Sequence, residues 1–198
     1  MARRAAFEIV ASGSNRNAAH RSGVAYPEVL RQLPRAVSLV TFQRGVDWLG
    51  LTATSLASLS LDPPAILVSF DSAGSISPAA AAEASFGVSV LAASHVELAD
   101  RFGRGALIEA APDEFEGSWV TAASGVVIRS DAIAAFDCES EEVINRHGYA
   151  IVIGRIRNVF KVGGSGALVY WLGAYNSIGW TDDEVRRAVG LFPASGDS

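Results

Sequence analysis

Small hydroxyl side chains crowd one stretch of the chain: Gly50-Leu51-Thr52-Ala53-Thr54-Ser55-Leu56, then Ser58 and Ser60 ahead of Asp62-Pro63-Pro64. One apolar run later, Asp71-Ser72-Ala73-Gly74-Ser75-Ile76-Ser77-Pro78 forms a second Ser/Gly cluster, with Pro78 placed to open a helix. Small residues let a planar ring approach the main chain, whose N–H groups then bond its heteroatoms. Hydroxyls beside a helix N-terminus make a phosphate seat that needs no lysine. Singly, each cluster reads as turn and cap residues. Together, in this order and at this distance, they favour a ligand.

Other chemistries leave no trace. No Gly-x-x-x-x-Gly-Lys-Ser/Thr loop exists, and Lys161 is the sole lysine among 16 cationic residues. Gly163-Gly164-Ser165-Gly166 joins two predicted strands and reads as a turn, not a dinucleotide loop. His20, His95 and His147 are scattered without metal-ligand spacing, so no metal is expected. Gly-x-Ser-x-Gly is absent, which leaves no nucleophile elbow. Cys138, the one cysteine, excludes an internal disulfide and reads as a small buried packing residue. Glu139, Glu141 and Glu142 read as a solvated strand face, not an acid pair. A chain so equipped can still be an enzyme if a cofactor carries the reaction.

The elements that must position these residues follow from pattern. With 198 residues, 49% hydrophobic and 19% charged, the chain is globular and one domain is expected over 24–198, preceded by an arm, 1–23. A net charge of −5 argues against a nucleic-acid partner. No apolar run is long enough for a membrane span, and no apolar segment follows Met1-Ala-Arg-Arg, so a soluble cytoplasmic protein is expected. Tyr26–Leu33 reads as a short helix stopped by Pro34. Strands are predicted over Ala36–Gln43, Trp48–Thr54, Ala65–Phe70, Phe86–Ala92, Gly125–Ile128, Ala132–Val143, Tyr149–Phe160 and Ala167–Trp171. Asp137, Glu139 and Glu141 alternate, as on a half-solvated antiparallel strand. A helix is predicted over Val96–Phe102, with Val96, Leu98, Ala99 and Phe102 available for its buried face, and another from Thr181 to about Ala188. Seven or eight strands without regular β-α alternation argue for a mainly β antiparallel barrel or sandwich with short helices, not a Rossmann sheet.

The order of motifs resembles the flavin reductase-like, FMN-binding split-barrel family. The residues that carry the likeness are Gly50–Ser55, Ser60-Leu61-Asp62-Pro63-Pro64, Ser75 and Ser77, and Leu98-Ala99-Asp100-Arg101-Phe102. Asp113-Glu114-Phe115 with Trp119, Cys138, Ile153-Gly154-Arg155-Ile156 and Tyr170-Trp171-Leu172-Gly173-Ala174-Tyr175 complete it. Each motif is weak alone; their co-linear order over 36–175 is specific.

The resemblance implies a Greek-key split β-barrel homodimer that binds FMN or FAD at the subunit interface. Thr52, Ala53, Thr54 and Ser55 would line the isoalloxazine ring. Ser69, Phe70 and Asp71 would continue the site, and Ser75 and Ser77 would hold the phosphate. Phe102, with Arg101 and Arg104, would meet the ribityl-phosphate end, and Tyr170 and Tyr175 would close the pocket. The implied activity is an NADH- or NADPH-dependent flavin reductase, with hydride passing from nicotinamide C4 to flavin N5 and reduced flavin leaving for a partner monooxygenase. No catalytic acid or base is required, because stacked rings need orientation above all. Relatives often carry a His five residues before the glycine of the Ile-Gly strand; Tyr149 stands there, with His147 two residues earlier, and both are candidates near the nicotinamide. The same resemblance leaves open a tightly held flavin that serves a corrinoid or ferric chelate, and a non-enzymatic flavin-binding barrel.

Overall fold

A computed structural model describes residues 26–44, 47–72, 85–103, 119–161 and 166–179. The arm 1–23, Ser75, Ser77, Arg104, the Asp113–Phe115 turn and the helix expected from Thr181 lie outside the described residues.

A short helix α1 (Tyr26–Leu30) precedes β1 (Arg35–Ala36), β2 (Ser38–Arg44), β3 (Asp47–Ala53), β4 (Ala57–Leu61), β5 (Pro64–Asp71) and β6 (Ser85–Val90). A 3-10 turn (Ala93–His95) leads into α2 (Val96–Gly103), then β7 (Trp119–Thr121), β8 (Val127–Arg129), β9 (Ala134–Arg146), β10 (Tyr149–Lys161), β11 (Ala167–Trp171) and β12 (Ala174–Ile178). The predicted strands are present with shifted ends, and β1, β4, β7 and β12 are additional. β1 and β7 are only two and three residues long, and β4 and β12 are exposed along most of their length, β4 despite its Ala-Ser-Leu-Ser-Leu alternation.

Seven strands form one antiparallel sheet in the order β3-β2-β6-β9-β10-β5-β4. Its two edges, β3 and β4, are consecutive in the chain and separated only by residues 54–56. Four peptide steps span at most about 14 Å, so the sheet must curl until its edges nearly meet. The result is a barrel left open along one seam, not a sandwich. Its interior is filled by Val40, Phe42, Ile66, Val68, Phe86, Val88 and Val152. Gly154 has no room for a side chain: a Cβ there would lie 2.3 Å from the Phe86 ring.

A second apolar cluster lies outside the barrel, under α2 and the three-stranded sheet β1-β11-β12. Val37 N–H donates to Leu168 O, Leu168 N–H to Leu91 O, and Leu91 N–H to Val37 O, so three buried residues tie that sheet to the barrel. The α2 face is narrower than expected: Ala99 and Phe102 are buried, while Val96 is exposed. The β7–β8 ribbon covers β2 and β6, where Thr41 Oγ1 donates to Val127 O and Gly87 admits the close approach.

One acid on the outward face of β9 is covered. Asp137 is fully buried, although Glu139 and Glu141 face solvent and pair with Arg157 and Arg155. Asp137 keeps the outer face of β9, since Phe136 and Cys138 fill the barrel, and the β7–β8 turn covers it: its carboxylate accepts the N–H and Oγ–H of Ser124 and the Nδ2–H of Asn158 (3.0 Å). A buried carboxylate with three donors is a satisfied one.

Candidate functional site

Strand alternation sorts the hydroxyl segment into faces. Along β3, Leu49, Leu51 and Ala53 point into the barrel, while Trp48, Gly50 and Thr52 face α2. The Phe102 ring lies against the strand at Gly50, where a Cβ would sit 2.8 Å from its Cε1. Burying that ring contributes roughly 1.5–3 kcal/mol. Thr52 Oγ1 donates to Ala99 O at 2.9 Å, clamping strand to helix.

Tyr175 reaches the same place from β12. Its hydroxyl lies 3.2 Å from where a Cβ on Gly103 would be, and Thr52 Cβ is 3.9 Å from that point. Tyr170 meets Tyr175 edge-on, with ring centres 5.4 Å apart. Burial raises the Tyr175 hydroxyl above the ordinary phenol value, and the charge of Asp100 and the neighbouring Tyr170 add to that. Thr52, Phe102, Tyr170 and Tyr175 are thus brought together outside the barrel.

Ala53 and Phe70 belong to the barrel interior, and Phe70 packs edge-on against Phe42 at 5.9 Å. What these two can offer a ligand is main chain. Cys138 is interior too; burial, with the charge of Asp137 beside it, pushes its thiol up to about 12, which removes it as a nucleophile.

At the seam, Ser55 Oγ donates to Ser69 O at 2.7 Å and accepts Ser69 N–H at 3.0 Å. Among the described residues, no group bonds the main chain of residues 54–56. Thr54 keeps a half-buried hydroxyl with no partner there. At the end of β5, Asp71 stands opposite Tyr149 on β10, and Ser72 N–H donates to Gly148 O at 2.9 Å. His147 and Gly148 form the two-residue β9–β10 turn with φ of +51° and +82°, leaving His147 exposed. The Tyr149 ring is 54% exposed, enough to stack on a planar ligand. Ser55, Ser69, Asp71, Tyr149 and His147 therefore gather near one end of β5 and β10, joined to the Thr52 group by Ala53 and Thr54.

This donor set suits a flavin. A heteroaromatic ring edge needs N–H donors that no ladder has consumed, and residues 54–56 supply them beside small side chains.

The flavin reductase like domain matches residues 30–179. The chain belongs to that family. An FMN reductase (NADH), RutF, of Bradyrhizobium diazoefficiens shares 29% identity with this family member over 157 residues, 79% of this chain and 86% of the relative. The NADH-dependent FMN reductase AsuE2 of Streptomyces nodosus subsp. asukaensis shares 31% over 154 residues, covering 74% and 80%. BorF, the flavin reductase component of a bacterial two-component tryptophan halogenase, superposes with a TM-score of 0.70 at 27% identity, over 77% of this chain and 96% of BorF.

Three partners of the site escaped the sequence reading. Ala99 O, Asp100 and Gly103 line the Thr52–Tyr175 contact, yet main-chain acceptors and tolerated glycines carry no sequence signal. The β4–β5 register would have pointed to Ser69 as the partner of Ser55.

Proposed function

We propose that this protein is an NADH-dependent flavin reductase whose flavin, FMN by the names of relatives such as RutF and AsuE2, seats on residues 52–55. The observation that carries the reading is the main chain of residues 54–56, free of every ladder among the described residues, with the Thr54 hydroxyl on it and an exposed Tyr149 at the end of β10. A bound flavin supplies a hydride acceptor; the net reaction takes NADH, flavin and a proton to NAD+ and reduced flavin. The chain's own part is to hold ring and nicotinamide face to face and to exclude water, with Tyr149 and His147 beside the nicotinamide and no side chain moving a proton. Ser75 and Ser77 complete the seat at the phosphate.

A homodimer fits the outer face of β5 and β10. Leu67, Ile151 and Ile153 lie there, with Ile144 of β9 beside Ile151; all are only half-buried and belong to neither apolar cluster. Reduced flavin would pass to a partner monooxygenase; a separate flavin-using partner is supported by BorF, the reductase component of a two-component halogenase, and a reaction that consumes NADH fits the cytoplasm. No described helix is long and apolar enough to cross a membrane.

NADH oxidation by the purified protein, with and without free FMN, tests the reading. Turnover that saturates with added FMN is expected. A protein that neither NADH nor NADPH can use to bleach FMN is not a flavin reductase.

A further inference from the structure

The hydroxyls of residues 52–55 do not all face a ligand. β4 and β5 pair antiparallel with Ala57 opposite Leu67 and Ser58 opposite Ile66. Continuing that register places Ser55 opposite Ser69. In an ordinary antiparallel pair the two residues would exchange both N–H···O bonds through their main chains. Here one hydroxyl replaces the main chain: Ser55 Oγ donates to Ser69 O and accepts Ser69 N–H. The ladder keeps its rung while the backbone of residues 54–56 leaves the sheet. At the other end, Thr52 Oγ1 is spent on Ala99 O of α2.

We propose that Thr52 and Ser55 are positioning residues, two pins that fix the Ala53–Thr54 main chain before the cofactor arrives, and that Thr54 is the hydroxyl left for contact. The proposal rests on the flavin-seat reading above. A hydroxyl has one proton and two lone pairs. Ser55 has committed the proton and one lone pair to Ser69, and Thr52 has committed its proton to Ala99. Each pin joins this segment to a different body, α2 on one side and β5 on the other, so losing either frees one end. A freed segment must be ordered when flavin binds, which lowers affinity without removing a contact.

Amide hydrogen exchange in the flavin-free protein reads the pins directly. Ser55→Ala is expected to speed exchange at Ser69, whose N–H the Ser55 hydroxyl accepts, and Thr52→Val at Ala53, the last laddered amide before the free segment. The factor should be about 2- to 12-fold, the range of one net hydrogen bond. Amides inside β10, such as Val152, should stay unchanged, which separates local release from global opening. Ser55→Thr and Thr52→Ser should restore slow exchange, and FMN affinity should fall and recover in step. Unchanged exchange at Ser69 and Ala53 overturns the pins, and the flavin seat still stands if Thr54→Trp weakens FMN. Faster exchange with FMN affinity intact in all of these variants, Thr54→Trp included, overturns the proposal together with the seat it serves.

Discussion

The barrel has two apolar outer faces, and only one of them is covered by described elements. On β3, Gly50 and Thr52 lie under α2, with Phe102 against the strand and Tyr175 over Gly103. On β5 and β10, Leu67, Ile151 and Ile153 are half-buried and lie outside both apolar clusters. Residues 54–56 join the two regions. The covered face shows how the chain spends its own helix to hold one side of the seam. The uncovered face shows where a second copy would hold the other, since a sheet face with that much aliphatic surface is costly to leave in water. The candidate site thus sits at the border between an internal support and an external one.

A charge on the uncovered face should break the comparison most strongly. Ile151→Arg is expected to weaken self-association by about 100-fold or more while leaving the fold intact, because a buried unpaired guanidinium at an interface centre is heavily penalised. Sedimentation across a concentration series checks this. A variant that associates like the native chain would assign the face to something other than a second copy.

Tyr175→Phe sharpens the covered side with a smaller effect. Because its folded-state value is raised above the ordinary 10.0, the folded chain holds the phenol proton more tightly than the unfolded chain does. The stability linked to that proton is therefore fully present below about pH 10 and is lost as pH rises through the folded-state value. Unfolding midpoints for the Phe variant should fall less steeply with pH in that alkaline window. Parallel curves would mean that Tyr175 does not titrate against the fold.

The strands that frame the site were legible in the sequence because apolar runs and turn residues mark them, and the family order of motifs placed the hydroxyl segment. Pattern left a barrel and a sandwich open, and the family resemblance chose the split barrel that is present. Closure shows in β4, an alternating Ala57-Ser58-Leu59-Ser60-Leu61 strand exposed along most of its length, and in the three-residue link between β3 and β4. Asp137 was expected in solvent because its outward place on β9 was legible, while the β7–β8 turn that covers it through Ser124 was not. Thr52 and Ser55 carry the right chemistry for a ligand, yet their partners are the main-chain groups of Ala99 and Ser69, which no residue type reveals.

FMN binding to the native chain and to Thr54→Trp is the most direct test of the seat. The indole would occupy the space above the free main chain of residues 54–56 without touching the pins or the barrel core. The account predicts saturable FMN binding by the native chain and its loss in the variant, with the unfolding midpoint unchanged. Equal affinity in the two proteins would contradict it and move the flavin site elsewhere.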